Sequence, residues 1–217
     1  AREYPGAPQV TIRVHAAPGE EAQVDFGSAG QLFDPCTGRL RLAHVFVATL
    51  SYSRHMYAEL VFDQKVPTWL ACHRHAFAFW GGLPRRIVPD NLKAAIKLAL
   101  VDDPVLGEAY RRMALHYGFL VSPTRPATPR HKGKVENGVH YVKRNFLAGR
   151  EFIDIEMANR DLRTWLVETA GARVHGTTRQ SPWRLFMEHE RPALLPVPED
   201  PFTLVETKLV KVHPDCH

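Results

Sequence analysis

Cysteine is scarce in this chain of 217 residues: Cys36, Cys72 and Cys216 are odd in number and widely spaced. Such usage excludes a disulfide framework and suits free thiols in a reducing cytosol. No paired CxxC motif accompanies Cys72-His73-Arg74-His75, so a structural or surface role is expected there rather than a metal centre. No apolar run approaches the roughly 18 residues that a membrane-spanning helix needs. Internal repeats are absent, which excludes a solenoid. The opening Ala1-Arg2-Glu3-Tyr4-Pro5 is neither a signal peptide nor a start with methionine. A piece of a longer protein is therefore expected.

What is present is an ordinary globular composition, 45% hydrophobic and 24% charged, with a basic surplus. Lys and Arg number 28 against 23 Asp and Glu, a formal net charge of +5. A polyanionic partner is favoured, because each neutralised phosphate releases counterions.

Residues 1–19 carry three prolines and two glycines and read as an extended arm or linker. Ala22 to Phe26 alternates like a strand, with Gly27-Ser28-Ala29-Gly30 expected to end it. Leu40 to Leu50 and His55 to Phe62 read as two more strands, so an antiparallel meander is the economical start. Thr68 to Trp80 reads as a helix stopped by Gly81-Gly82. Arg85 to Val88 is a short strand, Leu92 to Leu100 a helix, and Pro104 opens another helix that Gly118 closes. Phe119-Leu120-Val121 makes a fifth strand, followed by the proline-studded loop Ser122 to Arg130. Val135, Val139, Val142 and Phe146 form one buried helix face, and Glu156 to Thr169 a further helix. The fold class is α/β, a mixed five-stranded sheet with helices on both faces. The expected division is a core over 20–172, a linker with a short helix over 173–201, and the start of a β-rich domain over 202–217.

Three acids stand where divalent-metal chemistry would want hard oxygen ligands. Asp25 lies inside the apolar run Val24-Asp25-Phe26-Gly27, where a carboxylate is costly unless paired or bound to a cation. Asp90 follows Ile87-Val88-Pro89 at a strand end, and Glu136 neighbours the buried stripe of its helix. Read singly, each has an ordinary explanation. Asp25 would pair with an arginine, Asp90 would cap the helix beginning near Asn91, and Glu136 would pair with His140. Asp34, Asp63, Asp102 and Asp103 fall in loop-like stretches and need no special role.

Together they stand in three motifs: Gln23-Val24-Asp25-Phe26-Gly27, the run Gly82-Leu83-Pro84-Arg85-Arg86-Ile87-Val88-Pro89-Asp90-Asn91, and His131-Lys132-Gly133-Lys134-Val135-Glu136-Asn137. In that order they resemble the DDE transposases and retroviral integrases with a ribonuclease H-like fold. More narrowly, the chain resembles an IstA-type transposase of the twenty-first insertion-sequence family, from about Glu20 to Leu147. Asp90 and Glu136 lie 136 − 90 = 46 positions apart, longer than in the retroviral enzymes. The helices between Lys93 and Tyr117 account for the extra length.

The resemblance implies two reactions at one site: water frees a 3′ hydroxyl at the transposon end, and that hydroxyl then attacks target DNA. It implies Asp25, Asp90 and Glu136 as catalytic and metal-binding residues for two Mg²⁺ ions, with Mn²⁺ a substitute. No covalent intermediate is needed, so the lack of a tyrosine or serine nucleophile motif excludes nothing. Lys93 and Lys97 share a helix face, Arg125, Arg130, Lys132 and Lys134 precede Glu136, and Lys143 and Arg144 follow it. These bases would hold DNA phosphates; the bland alternative is a solvated charged face. Gly133 would allow a tight entry to the helix. Trp165 and Trp183 are expected to pack rather than stack on bases, with Pro182-Trp183 starting a helix. The resemblance further implies double-stranded DNA, a homo-oligomer and an AAA+ ATPase helper as partners, in the bacterial cytoplasm at the nucleoid. A hydrolytic ribonuclease H-type nuclease and a non-catalytic DNA-binding or assembly module remain the alternatives.

Overall fold

The computed structural model describes residues 16–89, 104–122 and 136–204, with the backbone alone for 104–106 and 136–137. Strand β1 (Glu21–Asp34) pairs antiparallel with β2 (Arg39–Leu50), and β2 with β3 (Met56–Val61). Helix α1 (Val66–Trp80) then crosses to β4 (Arg86–Pro89), which lies parallel to β1 on its other side. Helix α2 (Pro104–Tyr117) leads to β5 (Leu120–Val121), parallel to β4. The sheet order is β3-β2-β1-β4-β5, mixed and five-stranded, the ribonuclease H-like arrangement. Helix α3 (Glu136–Val142) continues into a wide turn over Lys143–Leu147, closed by Ala148 N–H donating to Lys143 O at 3.0 Å. Helix α4 (Ile155–Trp165) continues similarly to Ala170, and the short helix α5 (Pro182–Leu185) to Glu190.

Two apolar cores flank the sheet. Ala22, Val24 and Phe26 of β1 join Phe46, Trp69, Phe77, Tyr110 and Met113 beneath α1 and α2. Val45 and Val47 of β2 join Val142, Phe146, Leu162 and Trp165 beneath α3 and α4. Helices therefore cover both faces, and the period-two alternation of β1 decides what each face receives. Even positions 22–26 enter the first core. The odd positions Glu21, Gln23 and Asp25 turn a buried polar row toward the α3 side.

The first strand is longer than its glycines suggest. Gly27-Ser28-Ala29-Gly30 does not end it; the ladder slips at a bulge between Ser28 and Gly30 and resumes to Asp34. The extra residue reverses the alternation, so Leu32 joins the α3-side core. Asp34 is not a loop acid but the buried last residue of β1. It accepts hydrogen bonds from Cys36 N at 3.0 Å, Thr37 Oγ1 at 2.8 Å and Arg41 Nη1 at 2.7 Å, and so builds the turn into β2. These partners hold its carboxyl below the usual range, the Arg41 bond foremost.

Elsewhere the pattern and the structure agree closely. Gly81 ends α1 in the left-handed conformation, with Gly82 N–H donating to Phe77 O at 3.2 Å. Val142 and Phe146 are fully buried, as the helical stripe requires. The segment after α5 returns to the connection between α1 and β4: Leu83 and Leu195 exchange backbone hydrogen bonds, and Phe202 sits in the first core. Trp165 packs as expected, whereas Trp183 is 40% exposed and meets His55 edge-on. No helix among the described residues is long and apolar enough to cross a membrane.

Candidate active site

Asp25 is 8% exposed on β1, the central strand of the sheet, one residue beyond the end of its ladder with β4. Its register partner is Val47, and its Oδ1 accepts from Phe26 N–H at 2.7 Å. Beside it, Val24 pairs with Pro89, the last residue of β4. The chain thus leaves β4 for position 90 next to the strand that carries Asp25.

Helix α3 reaches the same place from above. A Cβ added at Gly27 would collide with Val139 Cγ1, and one at Gly138 would stand 3.1 Å from Val47 Cγ1 and 3.3 Å from Thr49 Oγ1. Both glycines are therefore needed for the helix to lie against β1 and β2 at this distance. Glu136 is the first residue of that helix, two positions before Gly138. Gly27→Ala is expected to cost about 1–3 kcal/mol by overpacking against Val139. Urea unfolding should register the loss, and an unchanged midpoint would mean that α3 sits elsewhere.

Under Asp25 the polar row is tied down. Arg86 Nη2 bridges Glu20 at 3.2 Å and Glu21 at 3.0 Å, while Ser51 Oγ donates to Glu21 at 2.8 Å. Gln23 Nε2 donates to Glu21 Oε1 at 3.1 Å. Burial pushes the Glu21 carboxyl up, but the bonds from Ser51 and Gln23 and the Arg86 charge outweigh it, so the group stays ionised below the usual range. Sequence patterning did not single out Gln23, although the strand period places it on the face of Asp25. Thr49 carried no sequence signal, because only the register opposes it to Gln23.

Of the other expected site residues, Lys143 and Arg144 are exposed on the wide turn after α3. Asp90, Lys93, Lys97, Arg125, Arg130, Lys132, Gly133 and Lys134 lie outside the described residues, as does the side chain of Glu136. Among the described residues no group of three or more His, Cys, Asp or Glu is placed to hold a metal. His73 is a core residue: Tyr110 Oη lies 3.1 Å from its Nε2 and Trp69 O lies 2.8 Å from its Nδ1. His75 pairs with Glu59 at 2.9 Å, and burial pushes the Cys72 thiol up.

The integrase core domain family matches residues 15–129. A protein named as a transposase in Mycobacterium tuberculosis is 36% identical over 92% of this chain and 49% of its own length. The transposase for insertion sequence element IS21 of Pseudomonas aeruginosa is 31% identical over 88% of this chain and 48% of its own. The chain thus spans about half the length of these curated relatives. Among solved structures, the HTLV-2 integrase catalytic core domain in complex with magnesium superposes with a TM-score of 0.52 at 13% identity, over 78% of this chain and 97% of that one. A simian T-cell lymphotropic virus intasome gives a TM-score of 0.55 at 20% identity, over 92% of this chain and 64% of that one.

Proposed function

Because the chain belongs to the integrase core domain family, we propose that Asp25, Asp90 and Glu136 form one divalent-cation site that cuts transposon ends and joins them to target DNA. The observation that carries this is convergence on Asp25. Strand β4 ends beside Val24, and the first turn of α3 rests on Val47, the register partner of Asp25. Asp90 is one peptide link, about 3.8 Å between Cα atoms, from Pro89. The buried carboxylate of Asp25 is a hard oxygen donor, the kind Mg²⁺ takes.

Asp25 would hold the ions with Asp90, and Glu136 would complete the set. Two Mg²⁺ ions, or Mn²⁺ in their place, would supply charge stabilisation for the attacking and leaving oxygens of a phosphodiester. The chain's own part is preorganisation. Asp25 sits on a strand paired on both sides, so its carboxylate needs little reordering before reaction. Exposed Lys143 and Arg144 would hold phosphates beyond the site, with Lys93, Lys97, Arg125, Arg130, Lys132 and Lys134 from the flanking segments. The wider assembly, with double-stranded DNA, further copies of the chain and an AAA+ ATPase helper, belongs to the same proposal.

The test is strand transfer by the full-length protein with Mg²⁺ or Mn²⁺, comparing Asp25→Asn, Asp90→Asn and Glu136→Gln. All three variants should lose joining. Parent-like joining by any one would remove that residue from the site.

A further inference from the structure

Among the described residues, two buried oxygens on the Asp25 side of the sheet have no hydrogen-bond partner, Gln23 Oε1 and Thr49 Oγ1. Their residues are 1% and 4% exposed and directly opposed across β1 and β2. Gln23 lies two residues before Asp25 on the same face, and Thr49 two after Val47, so the pair neighbours Asp25 along that face. The first turn of α3 covers them at Gly138.

The orientation of the amide is fixed. Gln23 Nε2 donates to a carboxylate that can only accept, so a flipped amide would set two oxygens against each other. The carbonyl oxygen is thus presented away from Glu21 with nothing among the described residues to accept from. A buried acceptor in this state costs about 1–3 kcal/mol, and native folds retain few of them. Water bound to a divalent cation is a strong, polarised donor that needs such acceptors around it.

We propose that Gln23 and Thr49 are positioning residues, whose oxygens accept hydrogen bonds from water on the cation that Asp25 holds. The inference rests on the assignment of Asp25 as a cation ligand. Gln23 would orient that water through its amide, itself braced by Glu21, Ser51 and Arg86. Thr49 would support it from the neighbouring strand.

Mn²⁺ binding to this chain, followed by calorimetry and by the electron-spin signal of the ion, tests both steps. Asp25→Asn should abolish binding. Gln23→Met and Thr49→Val, which keep size but remove the acceptor, should each weaken it about 10–100-fold. Thr49→Ser, which restores the hydroxyl, should bind like the parent. Thermal unfolding without metal separates positioning from architecture. Thr49→Val deletes an unsatisfied hydroxyl, so its midpoint should stay level or rise while its Mn²⁺ affinity falls. Loss of binding in Asp25→Asn with parent-like affinity in Gln23→Met and Thr49→Val would overturn the role of these two and leave Asp25 standing. Parent-like binding by Asp25→Asn, or no saturable binding by the parent, would overturn both.

Discussion

Asp25→Asn is expected to lower strand transfer by about a thousand-fold while leaving the fold and the affinity for DNA near those of the parent. The substitution keeps size and keeps an oxygen that can accept from Phe26 N–H. It removes the charge that would attract a divalent ion. Several kcal/mol of transition-state stabilisation come from such an ion, and about 4 kcal/mol corresponds to about a thousand-fold in rate. Gel-shift affinity measured beside joined product on the same DNA separates binding from chemistry. A proportional fall in both would point to a DNA contact at Asp25 instead of a cation ligand.

Acid should unfold the chain well before its carboxylates are all protonated. His55 is 1% exposed and packed among Phe79, Trp183 and Phe186, with neither ring nitrogen hydrogen-bonded among the described residues. Burial pushes its pKa down to about 4. His73 is likewise pushed down to about 4 by burial, against a partial rise from its bond to Trp69 O. Since that carbonyl can only accept, Nδ1 carries the proton and Nε2 accepts from Tyr110, a role that protonation would abolish. Both groups are more basic unfolded than folded. Their stabilisation is therefore complete above the unfolded pKa near 6.5 and is lost as pH falls from there toward 4. Each ring should lose about 2–3 kcal/mol between pH 7 and 4.5. The raised carboxyl of buried Glu190 works in the opposite sense, and the lowered carboxyls of Glu21 and Glu59 lose stability only at lower pH. Urea unfolding at the two pH values should show the loss, to which half-buried His175, also pushed down to about 4 by burial, adds a smaller part, and His55→Phe should remove its own share of about 2–3 kcal/mol. An equal loss in that variant would mean that His55 is not the buried neutral group described.

Much of the fold was legible because burial is periodic. Strand alternation in β2 and β3, the stripe through Val142 and Phe146, and the stop at Gly81 all follow from side chains choosing a face. The bulge in β1 was hidden because a glycine run reads equally as an end or as a slip in register, and only the partner strand decides. Asp34 was misjudged for the same reason, since its partners Thr37 and Arg41 become neighbours once the hairpin closes. At the site, Asp25 stood out as a charge in an apolar run. Gln23 and Thr49 did not, because an orphaned oxygen is a property of packing. The aromatic enclosure of His55 likewise depends on α5 folding back across the sheet.

The most direct test of the central claim is to ask which parts of the chain surround the cation. Fe²⁺ in place of Mg²⁺, with ascorbate and peroxide, produces hydroxyl radicals that cut the backbone beside the ion. Cleavage should fall in three places, around residues 25, 90 and 136, be suppressed together by excess Mg²⁺, and vanish in Asp25→Asn. Cuts confined to one segment, or an unchanged pattern in that variant, would contradict a single site built from the three acids.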